Sequence, residues 1–276
     1  MTAAARILDR MVAWAGADPN VRALVLVGSR AGPPPPDDLA DIDVQVYARE
    51  REPFTTSDAW ISEIGSPWLC VSDDYAEGGI AVPTRLVIFE GGAKADFAFY
   101  PAGAVSAAIE TRRPHRTLVD KDRAFDRSGS GTRRARQSTP PGAGEFRRVV
   151  EEFWFEAYHV AKYLVRGELW LAKSRDWAAK RFLLRMIAWH EAFVCGQLRD
   201  VDFTGARSTM SAETWEALQR TSAGSDREAS WDATVAMMEL FRRLAEETAP
   251  SLGLLYPAEI GDRMFEFILG LRQTDG

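Results

Sequence analysis

The segment over residues 127–144, RSGSGTRRARQSTPPGAG, constrains the fold most, because it divides the chain into two unlike parts. It has no apolar periodicity and is rich in Gly, Ser, Pro and Arg, which is the composition of a loop or linker. A chain of 276 residues is long enough for two domains. We therefore predict an α+β protein, with a mixed sheet and flanking helices over residues 1–135 and an α-helical bundle over residues 143–276.

The first part mixes helix and strand patterns. Continuous apolar runs or strict alternation predict strands, and spacings of three and four predict helices. Gly91-Gly92 lies between two strand-like runs, so we expect a hairpin with a three-residue connection. The predicted elements are a helix over 4–15, strands over 23–27 and 41–47, a helix over 55–64, and the hairpin strands 85–90 and 94–100.

The second part is helical throughout. Apolar residues recur at spacings of three and four, and Gly167 is a plausible break between helices. The predicted helices cover residues 145–166, 168–198 (as more than one helix), 214–220 and 231–247. No internal repeat is visible, so we expect a bundle rather than a solenoid.

Composition excludes several classes of protein. The chain has 34 basic and 40 acidic residues, a net charge of −6, which argues against a nucleic-acid partner. No apolar run approaches the roughly 18 residues of a membrane helix, and the charged N-terminal residues do not form a secretory signal. Cys70 and Cys195 are isolated, so we expect small buried residues rather than a disulfide or a metal site. We expect a cytoplasmic monomer.

Three aspartates carry the strongest chemical signal. Asp41 and Asp43 are two residues apart on a predicted strand, so both carboxylates face the same side. Two carboxylates so close repel each other unless a cation lies between them, and Mg²⁺ prefers such ligands. Asp96 lies between apolar neighbours on another strand and points away from Phe97. If the two strands are neighbours, the three carboxylates can hold one or two metal ions for an in-line phosphoryl displacement.

A possible phosphate-binding turn precedes these acids. Gly28, Ser29 and Arg30 lie where the first strand ends. Gly lets the backbone approach a phosphate closely, Ser adds a hydroxyl donor and Arg adds charge-assisted hydrogen bonds. Each motif alone is weak, since Asp-x-Asp also occurs in calcium loops, in glycosyltransferases and on solvated faces. The ordered combination is much more specific.

A stripe of polar residues follows one face of the predicted helix 145–166. Glu152, Glu156, His159 and Tyr163 are spaced by four, three and four residues. Carboxylates and aromatic rings bind guanidinium and ammonium groups, so this stripe is a candidate site for a cationic substrate. The alternatives are a solvated acidic face for the glutamates and a hydrogen-bonded helix residue for His159.

Other residues have simpler interpretations. We expect structural roles for His115 and His190, and either a nucleotide contact or an ion pair within the sheet for Arg85. The tryptophans on predicted helices are interpreted as core residues rather than ligand-stacking groups, with Trp154 kept as a candidate for substrate binding; they are Trp154, Trp170, Trp177 and Trp189.

The motifs together resemble a known family. They are VLVGSRA at 25–31, ADIDVQVY at 40–47, RLVIFEGGAKADFAFYP at 85–101, FWFEAYHVAKYLVRGELWLAK at 153–173 and LLRMIAWH at 183–190. Their order resembles the nucleotidyltransferase superfold shared with polymerase-beta-like enzymes. More narrowly, the chain resembles the aminoglycoside 6-adenylyltransferases, the streptomycin adenylyltransferase group, from about residue 5 to about residue 250.

The resemblance implies a magnesium-dependent transfer of AMP from ATP to an antibiotic hydroxyl, with release of pyrophosphate. Asp41 and Asp43 would be magnesium ligands, and Asp96 would complete the metal site or act as the general base. The residues implied to hold the nucleotide are Gly28, Ser29, Arg30 and Lys162, and the candidates for the aminoglycoside are Glu152, Trp154, Glu156 and His159.

The sequence departs from the family pattern in three places. Ala40 replaces a common Ser, Gly91 replaces an acid, and Pro33–Pro36 form an unusual loop. None of these changes removes a catalytic group. Two alternatives remain open: transfer to another small-molecule or protein hydroxyl, and a non-catalytic nucleotide-binding module of a regulatory or antitoxin type.

Overall fold

The computed structural model describes residues 2–33, 36–77, 79–104, 114–125, 140–196, 207 and 210–274. The chain divides into two compact units, Met1–Arg134 and Ala135–Gly276. Most of the predicted linker 127–144 and the last two residues of the predicted helical region 168–198 lie outside the described residues. Among the described helices, none is long and apolar enough to cross a membrane.

The first unit is built on a mixed sheet. Six strands lie in the order β3-β4-β5-β2-β1-β6. The pair β2 and β5 is parallel, and every other neighbouring pair is antiparallel. The strands are β1 (Val21–Val27), β2 (Ile42–Ala48), β3 (Pro67–Glu77), β4 (Ile80–Phe89), β5 (Lys94–Pro101) and β6 (His115–Asp120). The four predicted strands are confirmed, and β3 and β6 are additional.

Helix α1 (Ala3–Ala17) begins at a capped residue, since the Thr2 hydroxyl accepts a hydrogen bond from the Ala5 amide at 3.2 Å. Its buried side chains Ile7, Met11 and Trp14 follow the spacing of one helical face. They join the core that covers one face of the sheet. The predicted helix over 4–15 is thus confirmed.

Strand β2 contributes to two different cores. Ile42, Val44 and Val46 pack on the face that α1 covers. Successive side chains alternate in a strand, so Asp43 and Tyr47 face the other way. Tyr47 lies in a second, smaller core. The opposite face of the sheet is therefore apolar at the end of β2 and carries a carboxylate at its start.

The β4–β5 hairpin is confirmed, but its connection has four residues, 90–93, rather than the predicted three, because β4 ends at Phe89. The Phe89 amide donates to the Ala93 carbonyl at 2.9 Å, and Gly91 and Gly92 have φ angles of +86° and +81°. Glycine adopts this left-handed conformation without steric cost. The tight turn fixes the register at which Lys94 starts β5.

The predicted helix over 55–64 is wrong. It is replaced by two short helices, α2 (Glu52–Thr55) and α3 (Ile61–Ile64). The Thr55 carbonyl accepts a hydrogen bond from the Arg85 guanidinium, and the Ala59 amide donates to the Ser57 hydroxyl instead of to Thr55. These side-chain contacts replace the hydrogen bonds that a continuous helix needs.

The second unit is helical as predicted. Its described helices of eight or more residues are α4 (Ala143–Val165), α5 (Leu169–Phe193), α6 (Ala212–Arg220), α7 (Arg227–Ser251) and α8 (Ala258–Thr274). The prediction of more than one helix over 168–198 is wrong, because α5 contains no Gly or Pro that would break it. Helix α8 lies beyond the predicted elements. Phe153 stacks on Phe241 with ring centroids 3.6 Å apart in the shared core.

Candidate active site

The sheet places two of the predicted aspartates side by side on neighbouring strands. In the parallel pairing of β2 with β5, Asp43 is the register partner of Asp96. Asp41 lies just before β2 rather than inside it, which corrects the predicted strand start at residue 41. The expected adjacency of the two strands is confirmed. We call Asp41, Asp43 and Asp96 the carboxylate cluster, and that they share one metal site stays a prediction.

A lysine joins this cluster. The Lys94 ammonium donates to Asp41 Oδ2 at 2.5 Å and to Asp96 Oδ2 at 3.0 Å. Burial lowers the pKa of Lys94, but the hydrogen bonds with Asp41 and Asp96 outweigh it, so that the pKa is raised overall. The lysine therefore stays charged and partly neutralises carboxylates that would otherwise repel each other.

One oxygen of the cluster keeps unused bonding capacity. Asp96 Oδ1 lies 2.9 Å from the Lys94 nitrogen, yet it is buried and accepts no hydrogen bond from the described residues. A buried carboxylate oxygen without a donor is unfavourable unless another ligand reaches it. Hard cations such as Mg²⁺ take carboxylate oxygens as ligands. The carboxylate donor set fits a divalent cation.

Gly28 is required by the geometry of the site. Its φ is +78°, and a Cβ atom at this position would lie 2.6 Å from Asp43 Oδ2. β1 ends at Val27, whose register partner on β2 is Asp43, so the Gly28 turn lies directly beside the carboxylate. Only glycine leaves room for Asp43 here.

Arg30 organises the loop before Asp41. Its guanidinium donates to the carbonyls of Asp37, Asp38 and Ala40, the shortest distance being 2.7 Å to Ala40. Nearby, the Gly28 amide donates to the Pro114 carbonyl at 3.0 Å, and Ser29 is exposed. Arg30 thus fixes the loop that precedes Asp41, and its contact with a triphosphate stays a prediction.

The predicted glutamates lie on α4 in the second unit. Both carboxylate oxygens of Glu156 lie 3.4 Å from Arg175 Nη1, and the Glu156 side chain is largely buried. Glu152 is more exposed and lies 3.7 Å from Arg148 Nε. Glu156 is therefore paired with a guanidinium of this chain rather than lying on a solvated face, and its binding of a substrate cation stays a prediction.

The other predicted residues of α4 differ in accessibility. Trp154 is 1% exposed and packs against Phe241 and Phe265, which argues for the core role over substrate contact. His159 is partly exposed and pairs through Nδ1 with the Phe155 carbonyl at 2.8 Å. Lys162 is also partly exposed, and its ammonium lies 5.6 Å from the centre of the Tyr163 ring.

Several interpretations of single residues change. Trp170 and Trp177 are 87% and 64% exposed, so the prediction that they are core residues is wrong, whereas Trp189 is buried as predicted. Cys195 is exposed and Cys70 only partly buried, which corrects their prediction as buried residues. Arg85 forms an ion pair, with its Nε 3.0 Å from Asp58 Oδ1, but Asp58 lies between α2 and α3 and not in the sheet as predicted.

Carboxylates gathered on a sheet beside a glycine turn are typical of enzymes that transfer phosphoryl groups with a divalent cation. A family model described as streptomycin adenylyltransferase matches residues 1–271. The chain therefore belongs to the streptomycin adenylyltransferase family, and it is a nucleotidyltransferase.

A solved structure of an aminoglycoside 6-adenyltransferase from Bacillus subtilis is similar at 22% sequence identity, with a TM-score of 0.47, over 96% of this chain and 97% of that chain. Among curated protein sequences, none matches the chain significantly.

Lys94 is the residue of the cluster that sequence reasoning missed as a functional group. A lysine two residues from an aspartate on a strand is usually a surface ion pair. The available signal was the alternation of β5, which places Lys94 and Asp96 on the same face. Its contact with Asp41 depends on the parallel pairing of two strands that are distant in sequence.

Proposed function

We propose that this protein transfers AMP from ATP to a hydroxyl of an aminoglycoside such as streptomycin, releases pyrophosphate and so inactivates the antibiotic. The observation that carries the proposal is the placement of Asp43 opposite Asp96, with Lys94 joining Asp96 to Asp41. Membership in the streptomycin adenylyltransferase family supports the choice of acceptor.

The carboxylates of Asp41 and Asp43 would hold Mg²⁺. When bound, the ion would neutralise charge on the triphosphate. The residues around it already limit how the carboxylates can move. Gly28 leaves space for Asp43, and Arg30 fixes the loop that ends at Asp41.

Asp96 is the group proposed to accept the proton of the acceptor hydroxyl. An alcohol is a weak nucleophile at neutral pH, and a carboxylate within hydrogen-bond reach can take its proton. The acceptor oxygen then forms a bond to the α-phosphorus of ATP. The bond from that phosphorus to the bridging oxygen breaks, and pyrophosphate leaves with the bonding electron pair.

Lys94 is proposed to serve the same reaction as a positioning residue. Its ammonium holds Asp41 and Asp96 at fixed distances before substrates bind. Charges placed in advance need little reorganisation during the reaction, which is where electrostatic catalysis gains most. Its raised pKa keeps the ammonium protonated at neutral pH.

The second unit is proposed to supply groups for the substrates. Streptomycin-like molecules carry guanidinium or ammonium groups, which carboxylates bind, and Glu156 would exchange its partner Arg175 for such a group. Glu152 and His159 are accessible on the same helix. Lys162 is proposed to contact a phosphate of the nucleotide, and Trp154 is proposed to support the helix from its core side.

The proposal is tested by pyrophosphate release from the purified protein with Mg-ATP, with and without streptomycin. We expect release that depends on the antibiotic and that Asp43→Asn abolishes. Asp73→Asn, an exposed aspartate on β3, is the matched control and should retain the activity of the unmodified protein. Binding of Mg-ATP without release under any of these conditions would contradict the proposal and favour a nucleotide-binding regulatory module.

A further inference from the structure

A second group of metal-ligand side chains lies at the end of α5, apart from the carboxylate cluster on the sheet. His190, Glu191 and Cys195 each offer one ligand atom, and these atoms all lie within 4.8 Å of one another. The Cys195 sulfur is 3.7 Å from His190 Nδ1. A thiol, an imidazole and a carboxylate form a donor set that suits Zn²⁺.

A second carboxylate, that of Glu247, orients the imidazole of His190 through the other ring nitrogen. Its Nε2 lies 2.6 Å from Glu247 Oε2 on α7, and the His190 side chain is nearly buried. Arg243 in turn lies 3.5 Å from the second oxygen of Glu247. A metal-bound histidine usually pairs its other nitrogen with a carboxylate in this way, which fixes the ring orientation.

Glu191 provides the independent sign of a missing ligand. Its residue is fully buried, and its Oε1 accepts a hydrogen bond from the Ser211 amide at 3.0 Å. Its Oε2 is buried and has no hydrogen-bond partner among the described residues. A buried carboxylate oxygen without a donor is costly unless a cation or another donor compensates it.

The residues that follow the last turn of helix α5 hold the Cys195 thiol in place. The amides of Val194 and Cys195 both donate to the His190 carbonyl, at 2.8 and 3.1 Å, and Gly196 follows with a φ of +71°. Cys195 is exposed to solvent, so a water molecule can supply a further ligand.

We infer that His190, Glu191 and Cys195 form a site for Zn²⁺ or a similar transition-metal ion, with Glu247 orienting the histidine. Three protein ligands leave one tetrahedral position for water. This site is separate from the proposed magnesium site, because it uses nitrogen and sulfur ligands and lies in the helical unit. It does not depend on the proposed adenylyl transfer.

The test uses Co²⁺ as a spectroscopic substitute for Zn²⁺ in the full chain, kept reduced without added thiol. We expect one equivalent to bind with a thiolate-to-cobalt charge-transfer band that Zn²⁺ displaces. Cys195→Ser should abolish the band, and Cys70→Ser, the matched control, should retain it. Glu247→Gln should weaken binding by about 10- to 100-fold, as expected for a residue that orients a ligand.

A second measurement needs no variant. Zn²⁺ should slow the alkylation of Cys195 and leave that of Cys70 unchanged, which mass spectrometry of the two cysteine-containing peptides can measure. The inference is overturned if no charge-transfer band forms, if Cys195→Ser keeps the band, or if Zn²⁺ protects neither cysteine or both equally.

Discussion

At the scale of single residues, Lys94 explains how Asp41 and Asp96 can lie close together. Its ammonium contacts both carboxylates, and its side chain is about as accessible as theirs. Because the three side chains are only partly buried, solvent weakens the interaction. The lysine therefore joins Asp41 and Asp96 through side chains that solvent still reaches.

Replacement of Lys94 by methionine tests this role. We expect activity to fall by about 100-fold, because a preorganised charge next to the reacting groups is lost. Mg²⁺ should raise the melting temperature of Lys94→Met more than that of the unmodified protein, since the carboxylates have lost their own cation. The matched control is Lys121→Met, whose ammonium contacts the Asp18 carbonyl. Unchanged turnover in Lys94→Met would contradict the assignment.

Substitution of Gly28 by alanine, compared with the same substitution at Gly79, separates the effect of a positive φ from the effect of the close approach to Asp43. Gly28→Ala and Gly79→Ala both place alanine at a φ near +80°, so each should lose about 1–2 kcal/mol of unfolding free energy. Only at Gly28 would the new Cβ atom collide with Asp43; at Gly79 no atom lies within 4 Å. Activity should therefore be lost in Gly28→Ala and kept in Gly79→Ala. Equal activity in the two variants would show that the close approach is unimportant.

The sequence reveals those parts of the site that follow from local patterns. It does not reveal those that depend on contacts between residues that are distant in sequence. Alternation along β2 and β5 was enough to predict that Asp43 and Asp96 point away from the apolar face. The role of Lys94 depends on a contact across strands, and the role of Arg30 depends on backbone carbonyls, which have no sequence signature. Burial of Trp154 also required the packing of three helices to be known.

At the scale of elements, the central strands were predictable and the edge strands were not. β1 and β2 are buried on both faces over most of their length, so their sequences are apolar or alternate clearly. β3 lies at one edge with much of its length exposed, and β6 at the other edge alternates poorly. An edge strand is specified by its neighbour's hydrogen bonds more than by its own hydrophobic pattern.

Helix α8 provides a prediction about packing between elements. Alanine in place of a helical glycine usually stabilises a protein by about 1 kcal/mol, and we expect this for Gly270→Ala, where no atom lies within 4 Å. At Gly261 the new Cβ atom would overlap the Tyr256 hydroxyl, so Gly261→Ala should instead destabilise by about 1–3 kcal/mol.

The contrast is measured by denaturant unfolding of both variants. Tyr256→Phe removes the overlapping hydroxyl, so adding it to Gly261→Ala should recover part of the lost stability. If both glycine variants stabilise the protein equally, the close packing between Tyr256 and Gly261 is refuted.

At the scale of the whole molecule, the two units carry different sets of proposed functional residues. The sheet unit carries the carboxylates and the glycine turn, and the helical unit carries the residues proposed for the acceptor together with the inferred zinc site. The family match covers both units, over residues 1–271. The change of composition at residues 127–144 predicted this division because a linker needs no apolar periodicity.

The central claim is that these residues transfer AMP, and not another part of ATP, to the antibiotic. The most direct measurement incubates the protein with streptomycin, Mg²⁺ and ATP labelled at either the α- or the γ-phosphorus, and then separates the products. We predict that the α-label moves to the antibiotic and the γ-label to pyrophosphate, and that Asp96→Asn prevents both. Transfer of the γ-label to the antibiotic, or no transfer of the α-label to it, would contradict the account.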